Sequence, residues 1–395
     1  MRTSRSVRRV SGAFLAAVLP LTALAACGDS DDQDAGLDQV TVSGELGLAP
    51  EVEVDGELSP EGFDSTTVIE GDGQTVEEGS DVVLQAWIGN GITGQEAFST
   101  YEFGDPGIVP VSSEAPSTTV AAALQQTAAS LLLDPLTNAM PAAVADSLEG
   151  VKAGSRVLIV SDYENAFGGD GQANIGIGNR DPVVYVIDVL AVALDGPEGT
   201  EEAAPEGLPT LVESGDEVTG FDFEGAAEPT DELQVTTLVE GDGPVVEEGA
   251  LLVANYLGQT YGGEAPFDES YSGGLPRAFV VGGPNAGVIE GWNEALVGLK
   301  AGTRVVLGIP PALGYGETGN EQAGIGPTDT LYFVVDVLAS VVLPEQPAET
   351  ESPDAGATDP AATDPTDPAA TDPATDPAAT GSTEAPADPT APATE

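Results

Sequence analysis

Histidine is absent from the 395 residues and cysteine occurs once. Without histidine there is no Ser-His-Asp triad, no Cys-His dyad and no zinc site built on imidazole. A single cysteine excludes a disulfide framework, a four-cysteine zinc site and a cysteine-held iron–sulfur cluster. Positive charge is scarce as well: 10 Lys plus Arg stand against 67 Asp plus Glu, a formal net charge of -57. Four of those cations, Arg2, Arg5, Arg8 and Arg9, crowd into the first nine residues. A chain so acidic repels phosphate backbones, so nucleic acid is excluded as a partner, and the acidity reads as a solvated surface. What remains is chemistry that needs no histidine base and no metal-bound hydroxide of that kind, and no cofactor is expected. An Asp-rich stretch at residues 29–36 has the wrong register for a calcium loop, with Gln33 and Ala35 at ligand positions and no closing Glu.

The arginines are followed by a mostly apolar stretch from Gly12 to Ala26, 15 residues ending in small side chains. That falls short of the roughly 20 residues a bilayer requires and fits an export signal, expected over residues 1–26. Cys27 follows Leu24-Ala25-Ala26 and precedes Gly28-Asp29-Ser30-Asp31-Asp32, a polar switch that a core thiol would not show. The segment LAAC resembles the lipobox of bacterial lipoproteins. That resemblance implies a lipid-modified Cys27 as the mature N-terminus, anchored at the extracytoplasmic face of the cell membrane. Residues 27–40 then serve as an acidic tether. At the other end, residues 344–395 turn to Pro, Ala, Thr, Asp and Glu, with ATDP at 357–360, 362–365, 370–373 and 374–377. So few apolar groups cannot offset ordering entropy, and a disordered acidic tail is expected.

Between these ends the chain repeats itself. IEGDGQTVEEG at 69–79 matches VEGDGPVVEEG at 239–249, GVKAGSRVLIV at 150–160 matches GLKAGTRVVLG at 298–308, and PVVYVIDVLAV at 182–192 matches TLYFVVDVLAS at 330–340. The last two matches share a separation of 148 residues, the first a separation of 170, so the first copy holds 22 extra residues, mostly after Phe98. Short Val/Leu/Ile runs bounded by Gly, Pro and Asp read as strands. In the second copy they fall near 234–240, 250–257, 277–282, 303–309 and 330–340. One helix is expected at 291–298, with Trp292, Ala295 and Leu296 on one face. The fold class is α+β, an antiparallel sheet with one short helix in each copy. The first copy spans 41–197, a linker with a leading strand spans 198–233, and the second copy spans 234–343. LAPEVEV at 48–54 and LPTLVES at 208–214 each suggest a strand leading into its copy, and Val120 to Leu133 suggests an extra helix.

The second copy carries NYLG (255–258), PFD (266–268), AFVVG (278–282), GVIEGWNEALVGLKAG (287–302), LGYGETG (313–319) and DTLYFVVDVL (329–338). In this order and near this spacing, the set resembles the FKBP-type peptidyl-prolyl cis-trans isomerases. The resemblance implies two FKBP-like domains, of which the second isomerises X-Pro bonds. Rotation about such a bond has a barrier of about 18–20 kcal/mol and calls for no proton donor and no nucleophile. It further implies Trp292 as the floor under a proline ring, with Tyr256, Phe267, Phe279, Val288 and Phe333 as walls. The Ile289 backbone N–H and the Tyr315 hydroxyl would bond substrate carbonyls, and Asp268 would be a buried polar group near the twisting amide. The implied partners are proline-containing exported polypeptides, assisted in folding at the cell surface. The alternatives are a lipoprotein that binds proline segments as a chaperone without turnover, and an acidic spacer.

Two positions depart from the family pattern. The arginine that partners the pocket aspartate falls near Gly273, and a further pocket aromatic falls near Arg277, which leaves Arg277 as the available partner for Asp268. The first copy departs more: Trp87 aligns with Tyr256, Ser99 with Asp268, Val144 with Trp292, Phe167 with Tyr315 and Tyr185 with Phe333. Without the Trp floor and the hydroxyl, that copy is expected to be weakly active or inactive.

Overall fold

A computed structural model describes residues 36–101, 106–111, 144, 147–167, 171–215, 217–273, 275–284 and 286–344. The signal segment with Cys27, most of the tether, the expected helix at 120–133 and the tail from residue 345 lie outside the described residues.

After a 3-10 turn at Leu37–Gln39, β1 (Val40–Ser43) and β2 (Glu51–Val54) form an antiparallel hairpin. Next come β3 (Phe63–Ile69), β4 (Asp81–Asn90), β5 (Glu96–Ser99), β6 (Gly107–Pro110), β7 (Ser155–Ser161), helix α1 (Tyr163–Phe167) and β8 (Val183–Val192). They build a sheet in the order β3-β7-β8-β4-β5, with β6 also on β4. A connecting strand, β9 (Gly199–Glu201), precedes a second hairpin of β10 (Thr210–Ser214) and β11 (Glu217–Asp222). The chain then runs through β12 (Gln234–Gly241), β13 (Leu251–Thr260), β14 (Asp268–Glu269), β15 (Arg277–Val280), helix α2 (Glu290–Leu296), β16 (Arg304–Ile309) and β17 (Leu331–Val341). Their order is β14-β13-β17-β16-β12-β9, with β15 also on β13. Apart from β9, the second sheet repeats the first strand for strand, every pair antiparallel.

The repetition reaches single residues. β3 is irregular between Thr67 and Ile69 and β12 between Thr237 and Val239; β4 shifts register at Val83/Leu84 and β13 at Val253/Ala254. The shared GDG motif has a steric cause. A Cβ at Gly71 would collide with the Ala153 carbonyl, and one at Gly241 with the Ala301 carbonyl. The turn therefore closes on its KAG partner only with glycine.

The strands read as continuous apolar runs because both faces of each sheet are covered. On one face of the first sheet, Leu84, Ile88, Ile159, Tyr185 and Ile187 form a core; on the other, Trp87, Leu158, Val160, Val184 and Val186 pack under Val40, Val42, Val52 and Val54 of the first hairpin. The second sheet is built alike, with Leu257, Val306, Tyr332 and Val334 under Leu211, Val218 and Phe221 of the β10–β11 hairpin. The residues expected to link the copies therefore include a hairpin that packs on the second sheet.

Each hairpin is clamped by a cross-strand ion pair. Arg156 (β7) is bidentate to Asp188 (β8), Nε–Oδ1 2.6 Å and Nη2–Oδ2 2.7 Å, and both side chains are fully buried. Its remaining N–H groups donate to the carbonyls of Ser43, Gly44, Glu45 and Leu48, while Gly47 N–H donates to Asp188. In the second sheet Arg304 is bidentate to Asp336 at 2.6 and 2.8 Å and reaches Glu213 of β10 at 3.0 Å, and the Tyr271 hydroxyl donates to Asp336. Burial opposes the charge of both arginines, but the bonds to their aspartates outweigh it and hold both pKa values above the usual range.

The described residues fall within one compact unit. Between the sheets, Val83, Ile108, Ala193, Leu251, Val253, Leu338 and Val341 form a shared apolar cluster. Ala193 N–H donates to the Asp81 carbonyl, Leu194 N–H to Leu338 and Glu198 N–H to Gly302. At this junction burial, and then the charge of Asp195, push the Asp81 carboxyl up to about 6. Below pH 4 both the folded and unfolded chains hold that proton. As pH rises toward 6 the unfolded chain ionises first, so the folded state loses stability, and the penalty is complete above 6. At about 1.4 kcal/mol per pKa unit, Asp81→Asn is expected to stabilise by about 3 kcal/mol at pH 8 and hardly at all at pH 3.5. Urea denaturation of the two chains at both pH values measures this; an equal effect at both would refute it.

Candidate functional site

The site lies on the inner face of the second sheet, where α2 crosses it. Seven residues are too few for an autonomous helix, so packing holds it. Its N-cap Ile289 is extended and has no side-chain cap, while Glu290 places negative charge in the first turn. Gly291, Trp292, Ala295 and Leu296 are buried, matching the face expected from the sequence, with the helix displaced slightly toward the N-terminus. Gly291 permits the approach, since a Cβ there would lie 2.6 Å from Ile309 Cγ2. Asn293 Oδ1 accepts a bond from Gly282 N–H at 3.0 Å, tying the helix to the turn that follows β15.

Trp292, only 3 % exposed, is the hub of an aromatic box. Tyr256, Phe279 and Phe333 meet it edge to face, with ring centroids at 5.4, 5.2 and 5.4 Å. Tyr256 also packs on Phe279 at 5.5 Å, and Phe267 on Phe333 at 5.5 Å. Val288, Ile289 and Tyr315 are half-buried against the same core. All of the apolar wall and floor residues expected from the sequence are thus brought together. The Trp292 indole N–H is buried and has no acceptor among the described residues.

Gly258, the last residue of the NYLG motif, has a steric role. A Cβ there would lie 2.5 Å from Phe333 and 2.6 Å from Phe267, so both rings rest directly on the β13 backbone. On the opposite side, the segment after β16 turns through Pro311–Leu313 to Tyr315. The Tyr315 carbonyl accepts from the Thr318 hydroxyl at 3.1 Å, and Asn320 and Ile325 exchange backbone bonds at 2.8 and 2.9 Å. Ile325 is buried under this loop and Pro327 is exposed. Among the described residues, neither the Ile289 N–H nor the Tyr315 hydroxyl has a hydrogen-bond partner. Both remain available as donors at the rim.

Asp268 differs from expectation. It is exposed rather than buried, because β14 is a two-residue strand at the sheet edge. Its Oδ2 accepts a bond from the Tyr256 hydroxyl at 2.7 Å. Burial, and then that bond, hold the Tyr256 proton well above the usual tyrosine range, so Tyr256 is a permanent donor to Asp268. Arg277 does not replace the missing arginine: among the described residues it forms no ion pair with Asp268.

The register also corrects two alignments in the first sheet. Tyr256 lies opposite Val335 as Ala86 lies opposite Ile187, and Gly258 lies opposite Phe333 as Ile88 lies opposite Tyr185. Ala86, not Trp87, therefore stands for Tyr256; Trp87 faces the hairpin on the outer side. β14 and β5 shift likewise, so Phe98 rather than Ser99 holds the place of Asp268. The one-residue error reverses the face, because side chains alternate along a strand. Val144 and Leu148 are buried at the positions of Trp292 and Leu296, and Val109 stands for Phe279. Small aliphatics and Ile88 thus stand where the second sheet carries Tyr256, Gly258, Phe279 and Trp292 of the box.

Residues 243–338 match the profile of the family described as FKBP-type peptidyl-prolyl cis-trans isomerase. An FK506-binding protein of Streptomyces anulatus is 38% identical over 118 residues, 30% of this chain and 93% of that protein. The chain belongs to the FKBP-type peptidyl-prolyl cis-trans isomerases. The FKBP-type isomerase FkpA of Escherichia coli is 39% identical over 121 residues, which is 31% of this chain and 42% of FkpA. An FKBP-type 22 kDa isomerase of the same organism is 31% identical over 214 residues, 54% of this chain and 88% of its own length. In this FKBP the family profile coincides with β13 through β17, the elements that assemble the box.

Proposed function

We propose that this FKBP accelerates X-Pro isomerisation in exported polypeptides through the pocket on the second sheet, from a lipid anchor at Cys27 on the extracytoplasmic face of the cell membrane. The observation that carries the site is the Trp292 box with two unpartnered donors at its rim. The proline ring would rest on Trp292 between Tyr256, Phe267, Phe279, Val288 and Phe333. The Ile289 N–H and the Tyr315 hydroxyl would hold carbonyls flanking the proline, fixing the chain on either side of the bond that turns. A planar amide has a large dipole that water stabilises; the twisted amide has lost resonance and much of that dipole. A dry aromatic pocket therefore favours the twisted form, which is catalysis by differential binding. Asp268, exposed at the rim, acts by fixing Tyr256 and not by touching the amide.

In this reading the first sheet is a second FKBP-like unit without turnover, supported by the shared topology and by Ala86, Ile88, Val109 and Val144 at the box positions. LAAC and the polar switch after Cys27 support the anchor, and the slow interconversion of X-Pro bonds in newly exported chains supplies the need. The test is exchange NMR on a short X-Pro peptide with the full chain. Acceleration is expected, and Tyr315→Phe should lower it about tenfold, the loss of one hydrogen bond made in the transition state. A full chain that leaves exchange unchanged would sink the proposal.

A further inference from the structure

We propose that Arg277 is a specificity-determining residue that selects an acidic residue immediately before the proline, so that Asp-Pro segments are the preferred substrates of the second sheet's pocket. The inference rests on reading that pocket as the isomerase site. Arg277 opens β15 opposite Ala254, and Phe279 lies two residues further along opposite Leu252. Side chains two apart on a strand share a face. Phe279 contacts Trp292, so Arg277 lies on the pocket face, beside the small Ala254. It is half-buried, and its charge reaches the Tyr256 hydroxyl, where it opposes the carboxylates of Asp268 and Glu269.

Those two carboxylates have partners of their own. Asp268 accepts from Tyr256 at 2.7 Å, and Glu269 accepts from the Ser272 N–H at 2.9 Å and from its hydroxyl. Arg156 and Arg304 are bidentate to aspartates, and Lys300 lies 3.6 Å from Glu240. Arg277, like Lys152 and Arg180, forms no ion pair among the described residues, but those two are exposed whereas Arg277 is half-buried, so the pocket rim carries a guanidinium whose complement is missing from the fold. A guanidinium takes a carboxylate with two parallel bonds, and a substrate carboxylate next to the proline is the group that arrives there with each turnover. The sequence contains such segments: Asp359-Pro360, Asp364-Pro365, Asp367-Pro368, Asp372-Pro373, Asp376-Pro377 and Asp388-Pro389. The same chemistry is available in other acidic polypeptides.

The experiment compares exchange of Ala-Asp-Pro-Phe with that of Ala-Asn-Pro-Phe on the full chain, beside Arg277→Gln and Arg277→Lys. The ratio of the two rates in one protein cancels any general loss of activity. The Asp/Asn ratio is expected to fall about fivefold in Arg277→Gln, to recover partly in Arg277→Lys, and to shrink in the parent chain as salt is raised. An unchanged ratio in Arg277→Gln, with both peptides accelerated by the parent, overturns the specificity and leaves the isomerase standing. No acceleration of either peptide overturns both. A chain ending at Gln346 separates the sources. If the tail competes for the site, its removal raises turnover of the Asp-Pro peptide in the parent more than in Arg277→Gln. Equal turnover with and without the tail assigns the substrate to other polypeptides.

Discussion

Replacing Arg156 with methionine is expected to lower the unfolding free energy by about 3–5 kcal/mol, the cost of leaving one partner of a buried ion pair alone. Asp188 would be left in a fully buried site without its ion-pair partner, and four hairpin carbonyls that now accept from Arg156 would lose that donor. The double variant Arg156→Met/Asp188→Leu removes both charges and should recover much of the loss, because two apolar groups of similar volume suit a buried face. The carbonyl groups of Ser43, Gly44, Glu45 and Leu48 would still be missing the bonds that Arg156 donates, so recovery should be incomplete. Chemical denaturation of the parent, the single and the double variant measures all three. A single variant within about 1 kcal/mol of the parent would show that the clamp contributes little. Arg304 is slightly open to solvent and one of its contacts, Glu213, is half-exposed, so the matching change in the second sheet should cost less.

The second large effect concerns catalysis. Gly258→Ile places in the second sheet the residue that the first sheet carries as Ile88. The new side chain would force the rings of Phe333 and Phe267 off the β13 backbone and into the volume above Trp292. Displacements near 1 Å in a positioned site cost about a hundredfold in rate, and here two walls move at once. Exchange NMR should therefore show at least that loss. Overpacking should add a stability cost of about 1–3 kcal/mol, so the rate is to be read on chain whose near-ultraviolet spectrum is native. Full activity in a folded Gly258→Ile chain would remove Phe267 and Phe333 from the proposed pocket.

The strands and the helix of the second copy were legible because Val-rich runs, glycine turns and the Trp292, Ala295, Leu296 spacing are local signals. The box was legible through motif order. Three things were not. The place of Asp268 depended on β14 being a two-residue edge strand, which no local pattern announces. The partners of Tyr256 and Gly258 in the first copy depended on register, and the identity of neighbouring residues favoured Trp87 over Ala86. The hairpins were half visible: the LAPEVEV and LPTLVES runs gave one strand each, but their strand partners and the burial of Arg156 and Arg304 beneath them follow from tertiary packing. A polar residue in a strand run, such as Arg156 opposite Asp188, was the available sign that something polar covers the outer face.

β9 has a consequence for how these molecules behave when crowded. It pairs with the end of β12, with Glu201, Thr200 and Gly199 opposite Val239, Glu240 and Gly241. An uncovered edge strand offers backbone donors and acceptors to any neighbouring chain and seeds sheet-to-sheet association. The connecting peptide closes part of that edge on the sheet that holds the aromatic box. At the matching edge of the first sheet, β3 has no such cover among the described residues, and it presents Asp64, Ser65, Thr66 and Thr67 instead. The two copies thus guard the same vulnerable border by different means, one by occupying it and one by making it unattractive to a further strand.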